Sequence, residues 1–350
     1  MNFASDNTAP VAPAIMDALI KTNSDAAPAY GVDAECDRAR QQICELFETD
    51  CAVYFVASGT AANSLGLAAA TPSHGAMLCA DVAHIHLDEC GAPEFFTGGA
   101  KLQPLVSCAG KLSPDIVAQH LSERPMLGPH RAPYKVLSLT QATEAGTVYS
   151  VAEIAALSAL ARQHQLMLQM DGARFANAIV ASGVSAADMS WRAGVDLLSF
   201  GGTKNGCLAA EALVVFNQNL VDDIEFLRKR AGHLWSKGRY LGAQFNAYLN
   251  DGYWLGLAGH ANAMARCLSA GLAAIEGLKV VYPTEINEVF VQMPDTLVAK
   301  LQAADAHFYP WICPGLPAEA KVYRLITSWS TRQEEVEQFI ELANSHRARQ

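Results

Sequence analysis

Seven short apolar runs recur through the first two thirds of the chain: residues 52–57, 76–80, 102–106, 136–139, 166–170, 197–200 and 212–216. Several are separated by segments whose apolar residues return at helical spacing. A run of this length between helical segments predicts a strand buried on both faces. Residues 150–162 give the clearest helix: Ser150 with Glu153 forms a capping box, and Ile154, Leu157, Leu160 and Ala161 make one apolar stripe. Ser113-Pro114-Asp115 opens another, with Ser as cap and Pro in the first turn, where its missing N–H costs nothing. Strands buried on both faces and joined through helices predict an α/β architecture with a mostly parallel sheet.

The pattern changes after about residue 250. A long helical stretch, 255–275, leads into strands at 288–293 and 322–327 and a closing helix from Thr331. The expected division is an N-terminal arm (1–19), a large domain (20–250) and a small C-terminal α/β domain (251–350). No Pro/Gly/Ser-rich linker separates the last two, which predicts a rigid junction.

Composition removes several classes of function. The 35 acidic and 25 basic side chains leave a net charge of −10, which disfavours nucleic acid as partner. No apolar run is long enough to span a bilayer, and MNFASDNTAP has neither a cationic head nor a hydrophobic stretch, so no membrane and a cytoplasmic location are expected. Nine cysteines show neither C-x-x-C nor zinc spacing, and most sit in apolar strings where a thiol reads as a small hydrophobe, not as part of a disulfide framework or metal site.

Three segments carry chemistry. Ser58-Gly59-Thr60 follows the first strand and opens a helix, so unpaired N–H groups, two hydroxyls and the helix dipole converge on one point. Such a turn suits a phosphate, and equally a plain N-cap. Asp171 ends the strand LMLQM, where side chains face the ligand crevice of a parallel sheet, although it could also cap the next helix with Arg174 as its ion partner. Lys204, in GGTKNG, ends an apolar strand among small residues. That setting disfavours its charged form and frees the amine, whereas a solvated loop lysine is the plainer reading. Together, a phosphate turn, a strand-end Asp and a strand-end Lys match the order expected of a pyridoxal-phosphate enzyme: Lys for the Schiff base, Asp for the pyridinium nitrogen, helix N-terminus for the phosphate.

The chain resembles the low-specificity L-threonine aldolases, including the branch that acts on phenylserine, with the aspartate-aminotransferase-like fold (fold type I). The resemblance runs from Ser5-Asp6-Asn7 to Arg324 through Tyr30-Gly31, SGTAAN, His84 with DECGAPEFF, DGARFANA, GGTKNG and RKRAGHLWSK. It implies a large domain with a seven-stranded, mostly parallel sheet, pyridoxal 5′-phosphate as cofactor, and retro-aldol cleavage of β-hydroxy-α-amino acids to glycine and an aldehyde. It also implies a homo-oligomer, a dimer of dimers with sites at the dimer interface. By resemblance, Lys204 holds the cofactor, Asp171 meets its ring nitrogen, and Ser58, Gly59 and Thr60 hold its phosphate. His84 stacks on the ring, Ala173 packs beneath it, and Lys237 of a neighbouring subunit approaches the phosphate. Arg174 serves the cofactor's 3′-oxygen or the substrate carboxylate; Ser5 and Arg324 complete the carboxylate site, with Tyr30 on the substrate side. His84 and His130, or a water they hold, supply the base. His86, two residues after His84, would line the substrate entrance if that segment is extended. His74, His120, His164, His307 and His346 read as surface residues. Another fold-type-I chemistry, β-elimination or transamination of a small amino acid, shares the Lys/Asp/phosphate frame.

Overall fold

The computed structural model describes residues 1–123, 128–313, 316–317 and 320–345; His346 lies outside them. Each apolar run becomes a strand: β1 (Ala52–Val56), β2 (Ala76–Ala80), β3 (Lys101–Leu105), β4 (Tyr134–Thr140), β5 (Met167–Gly172), β6 (Leu197–Gly201) and β7 (Glu211–Val215). They form one sheet in the order β1-β7-β6-β5-β4-β2-β3. All neighbours pair in parallel except β7, which runs antiparallel to both β1 and β6. Strands β2, β6 and β7 are buried along their whole length, as helices on both faces require.

The predicted caps are present. Ser150 and Glu153 close a capping box on the helix Val151–Gln163, and Ser113 caps Pro114–Ser122 through the Ile116 N–H. Phe200 on β6 packs against Phe47, Phe175, Phe245, Tyr248 and Trp254, a cluster that pins the strand leading to Lys204.

A second, antiparallel sheet follows: β8 (Lys279–Val280), β9 (Glu288–Gln292), β10 (Tyr309–Trp311) and β11 (Val322–Ile326), ordered β10-β11-β9-β8. Its apolar face packs on the helices Tyr253–Ala273 and Gln333–Asn344. The N-terminal segment ties into this body: Phe3 is buried in its core, donates its N–H to the His307 carbonyl (2.8 Å) and accepts the N–H of Ile326 (2.8 Å). Residues 5–12 then cross to the large sheet, where the Ala12 N–H meets the Gly206 carbonyl at 2.8 Å.

Candidate active site

The sheet register collects the predicted residues on one edge. Glu211, which begins β7, pairs with both Val56 and Gly201; Gly172 pairs with Phe200, and Asp171 with Thr140. The ends of β1, β6, β5 and β4 and the start of β7 therefore face the same crevice, where open α/β sheets bind ligands. A cavity of about 250 Å³ opens there, lined by Ser58, Gly59, Thr60, His84, Asp171, Ala173, Arg174 and Lys204.

At one end Ser58 caps the helix Gly59–Ala70, its hydroxyl accepting the Ala61 N–H at 3.3 Å. The hydroxyl thus serves as the N-cap that the sequence equally allowed. The N–H groups of Gly59 and Thr60, in the first turn, have no preceding carbonyl in the helix to meet. The loop after residue 228 touches this turn, since the Ala57 N–H donates to Nδ1 of His233 at 3.3 Å.

Asp171 is buried and held from two sides. Its Oδ1 accepts the Ala173 N–H (3.0 Å) and its Oδ2 accepts from Nδ2 of Asn63 (2.7 Å). Asn63 is the hub of a buried network: its amide also donates to Oε1 of Glu89 (3.0 Å), while its carbonyl accepts from Ser199 (2.7 Å) and Gln169 (3.2 Å). Glu89 Oε1 meets Nδ1 of His84 at 2.9 Å. That bond raises the proton affinity of the His84 ring above its ordinary value, against the opposing effect of burial. With Nδ1–H donating to a carboxylate, the neutral ring presents its Nε2 lone pair.

Two further carboxyls line the cavity. Glu144 Oε1 accepts the His84 N–H (2.7 Å) and the Thr140 hydroxyl (2.8 Å), and Glu211 Oε1 accepts the Thr203 N–H (3.3 Å). Burial pushes each of them up to about 7. Lys204 stands on the turn Thr203–Asn205 directly after β6. A Cβ at Gly201 would come within 2.8 Å of the Ala173 carbonyl oxygen, so a glycine there lets the lysine turn close on the Asp171–Arg174 turn.

Beyond Ala173, Arg174 grips Asp6 with two bonds, Nε–Oδ2 at 2.8 Å and Nη2–Oδ1 at 3.1 Å. Although burial opposes it, this pairing holds the Asp6 carboxyl below its usual range. Arg324, on β11, does not line the cavity; its guanidinium stands 3.9 Å from the centre of the Trp311 ring and 4.0 Å from Glu288. Ser5 caps its own turn by accepting the Asn7 N–H (3.1 Å), and Asn7, not Ser5, lines the cavity.

His130, Lys237, Tyr30 and His86 are exposed and do not line this cavity. The premise for His86 does not hold: residues 84–87 form a helical turn, not an extended segment. At about 100° per residue, His86 then points away from the face that His84 presents. Asn63, Glu89, Glu144, Glu211 and Glu288 had no part in the expected site. Glu211 and Glu288 had a legible signal, since each is a lone acid set in an apolar strand.

The donor set fits pyridoxal phosphate: free N–H groups at a helix N-terminus for the phosphate, a buried carboxylate for the ring nitrogen, and a lysine lining the same cavity. Among the described residues no group of His, Cys, Asp and Glu is arranged to hold a metal ion. The β-eliminating lyase family model matches residues 2–296. A low specificity L-threonine aldolase of Pseudomonas aeruginosa is 42% identical over 99% of this chain and 96% of its own length. A second, from a Pseudomonas species, is 41% identical over 95% of this chain and 94% of its own. The solved threonine aldolase of Leishmania major superposes with a TM-score of 0.92 at 31% identity, covering 99% of both chains. The chain belongs to the low-specificity L-threonine aldolases, pyridoxal-phosphate-dependent lyases of fold type I that cleave β-hydroxy-α-amino acids to glycine and an aldehyde.

Proposed function

We propose that the aldol cleavage takes place in the cavity on the sheet edge, with Lys204, Asp171 and His84 as its working residues. Pyridoxal phosphate, when bound, supplies the sink for the electron pair of the cleaved Cα–Cβ bond. Lys204 holds the cofactor, Asp171 keeps its ring nitrogen protonated, and the N–H groups of Gly59 and Thr60 with Ser58 carry its phosphate. Asn63 fixes the Asp171 carboxylate from behind. Ala173, which lines the cavity, would pack against the cofactor's ring. Arg174 and Arg324 bind the substrate carboxylate, with Asn7 on the arm lining the cavity in place of the expected Ser5.

His84 is the base that this geometry supports best. Glu89 orients the ring through Nδ1, leaving Nε2 to take the proton of the β-hydroxyl and to return a proton as glycine forms. The Glu89–His84 bond is the observation that carries the reading, because it fixes both tautomer and orientation. The test is cleavage of L-threonine by His84→Asn. The variant should lose about 10²–10⁴ in kcat while still binding glycine; a kcat within a few-fold of wild type would remove His84 from the role. Equimolar glycine and acetaldehyde from wild type, with neither keto acid nor ammonia, separates this chemistry from transamination and β-elimination.

The finer reading covers assembly, substrate range and location. Lys237, exposed and away from the chain's own cavity, serves the phosphate of a neighbouring subunit's site, and the assembly is a homo-oligomer, a dimer of dimers with shared sites. Substrates extend from L-threonine and L-allo-threonine to phenylserine, in keeping with the low specificity that the Pseudomonas relatives are named for. A cytoplasmic location suits the free thiols, among them Cys44 and Cys51, whose sulfurs stand 3.5 Å apart unbonded. No helix among the described residues is long and apolar enough to cross a membrane.

A further inference from the structure

Glu288 lies between the two arginines assigned above to the substrate carboxylate. It begins β9, its side chain is fully enclosed, and the neighbouring strand β11 carries Arg324. Its Oε1 stands 3.5 Å from Nη1 of Arg174 and 4.0 Å from Nη1 of Arg324. Neither of its oxygens receives a hydrogen bond, and Nε of Arg324 is likewise buried without an acceptor. Arg174 is otherwise engaged by Asp6. The cluster therefore balances two guanidiniums against two carboxylates, one gripped by hydrogen bonds and one held only by proximity. A buried carboxylate without donors is stable only while its cations have no other anion to serve.

An amino-acid substrate brings a third carboxylate to the same two cations. We propose that Glu288 is the resident counter-ion of the substrate carboxylate site and is neutralised by taking up one proton when that carboxylate binds. The proposal rests on the reading that Arg174 and Arg324 bind the substrate. The proton comes from solvent, adds to a Glu288 oxygen, and leaves again with glycine; no bond of the substrate is involved. The charged groups facing Glu288 are Arg174 after β5, Arg324 on β11, Asp6 on the N-terminal segment and Lys204 after β6. The arginines stay charged, and Asp6 is held ionised by Arg174. Burial already pushes the Glu288 carboxyl above its usual range, with Arg174 and Arg324 opposing. Above that pKa each binding event must import a proton, so the affinity for a carboxylate falls by up to about tenfold per pH unit.

The test is calorimetric titration of glycine into the holoenzyme at about pH 8, in two buffers of different ionisation heat, with Glu288→Gln and Arg324→Ala alongside. Wild type should take up about one proton per site more than Glu288→Gln, and Glu288→Gln should bind glycine about tenfold or more tightly. Equal proton uptake by the two proteins overturns the proposal. Arg324→Ala separates the layers. If it binds glycine as wild type does, the carboxylate-site reading itself fails; if it binds weakly while proton uptake is equal, only the role of Glu288 fails. An infrared difference spectrum on adding glycine gives a second readout. A protonated-carboxyl carbonyl band should appear in wild type and be missing from Glu288→Gln; its absence from wild type contradicts the proposal.

Discussion

Asn63 decides the geometry of the site more than any charged residue, because four of its contacts converge there: Asp171, Glu89, Ser199 and Gln169. Replacing it with Ala leaves the buried Asp171 Oδ2 without its donor and Glu89 Oε1 with His84 alone, and takes the acceptor from Ser199 and Gln169. The expected cost is about 2–4 kcal/mol in unfolding free energy, from the buried groups left unmet. Denaturant unfolding of Asn63→Ala measures it, and a loss under about 0.5 kcal/mol would show that the network is not limiting. Glu144 makes a different prediction. Its folded pKa, about 7, stands above the ordinary value of 4.5, so the folded chain holds that proton more tightly than the unfolded one. Its contribution to stability therefore declines as pH rises from about 4.5 to 7. Glu144→Gln keeps an oxygen for the His84 N–H and the Thr140 hydroxyl while removing the charge. Thermal melts should show the variant gaining on wild type at pH 8 relative to pH 5; an equal difference at both contradicts the burial argument.

Strand β6 is the element on which the site depends, since it carries Lys204 to the edge where β5 delivers Asp171. The aromatic cluster around Phe200 holds it from below, and Phe200→Ala should cost about 3–5 kcal/mol in unfolding free energy. Gly201→Ala attacks the same element from above, with a Cβ 2.8 Å from a backbone oxygen of Ala173. It should lower cofactor affinity as well as stability, read as the cofactor concentration that half-restores absorbance to the stripped protein; unchanged affinity would mean that the two turns are free to part. These elements were legible because strand runs, caps and the order of turn, Asp and Lys are local patterns. The seven strands appear within one or two residues of the apolar runs, and both predicted Ser caps are made. The carboxyl cluster of Glu89, Glu144, Glu211 and Glu288 was not legible as a site, because it assembles from four segments that only the fold brings together. His86 shows the converse: alternation was the wrong period for a segment that closes into one helical turn.

At the scale of the whole molecule, the N-terminal segment joins the two bodies at the cavity. Phe3 belongs to the second core, Asp6 grips Arg174 from the large sheet, and the Asn287 amide holds Asp6 at 3.1 Å from β9's approach. On the proposed assignment a substrate carboxylate between Arg174 and Arg324 would touch both bodies at once, and a chain of net charge −10 would accommodate it through cations concentrated on one edge. Lys237 faces outward, and the assembly proposed for it predicts a tetramer mass by light scattering, with a stable monomer of full activity as the contrary result. Every role proposed for this edge depends on Lys204 being the lysine that holds the cofactor. Borohydride reduction of the holoenzyme, followed by proteolysis and mass mapping, tests it directly. The pyridoxyl mass should fall on the peptide containing Lys204 and be lost in Lys204→Ala; a label on any other lysine would contradict the assignment.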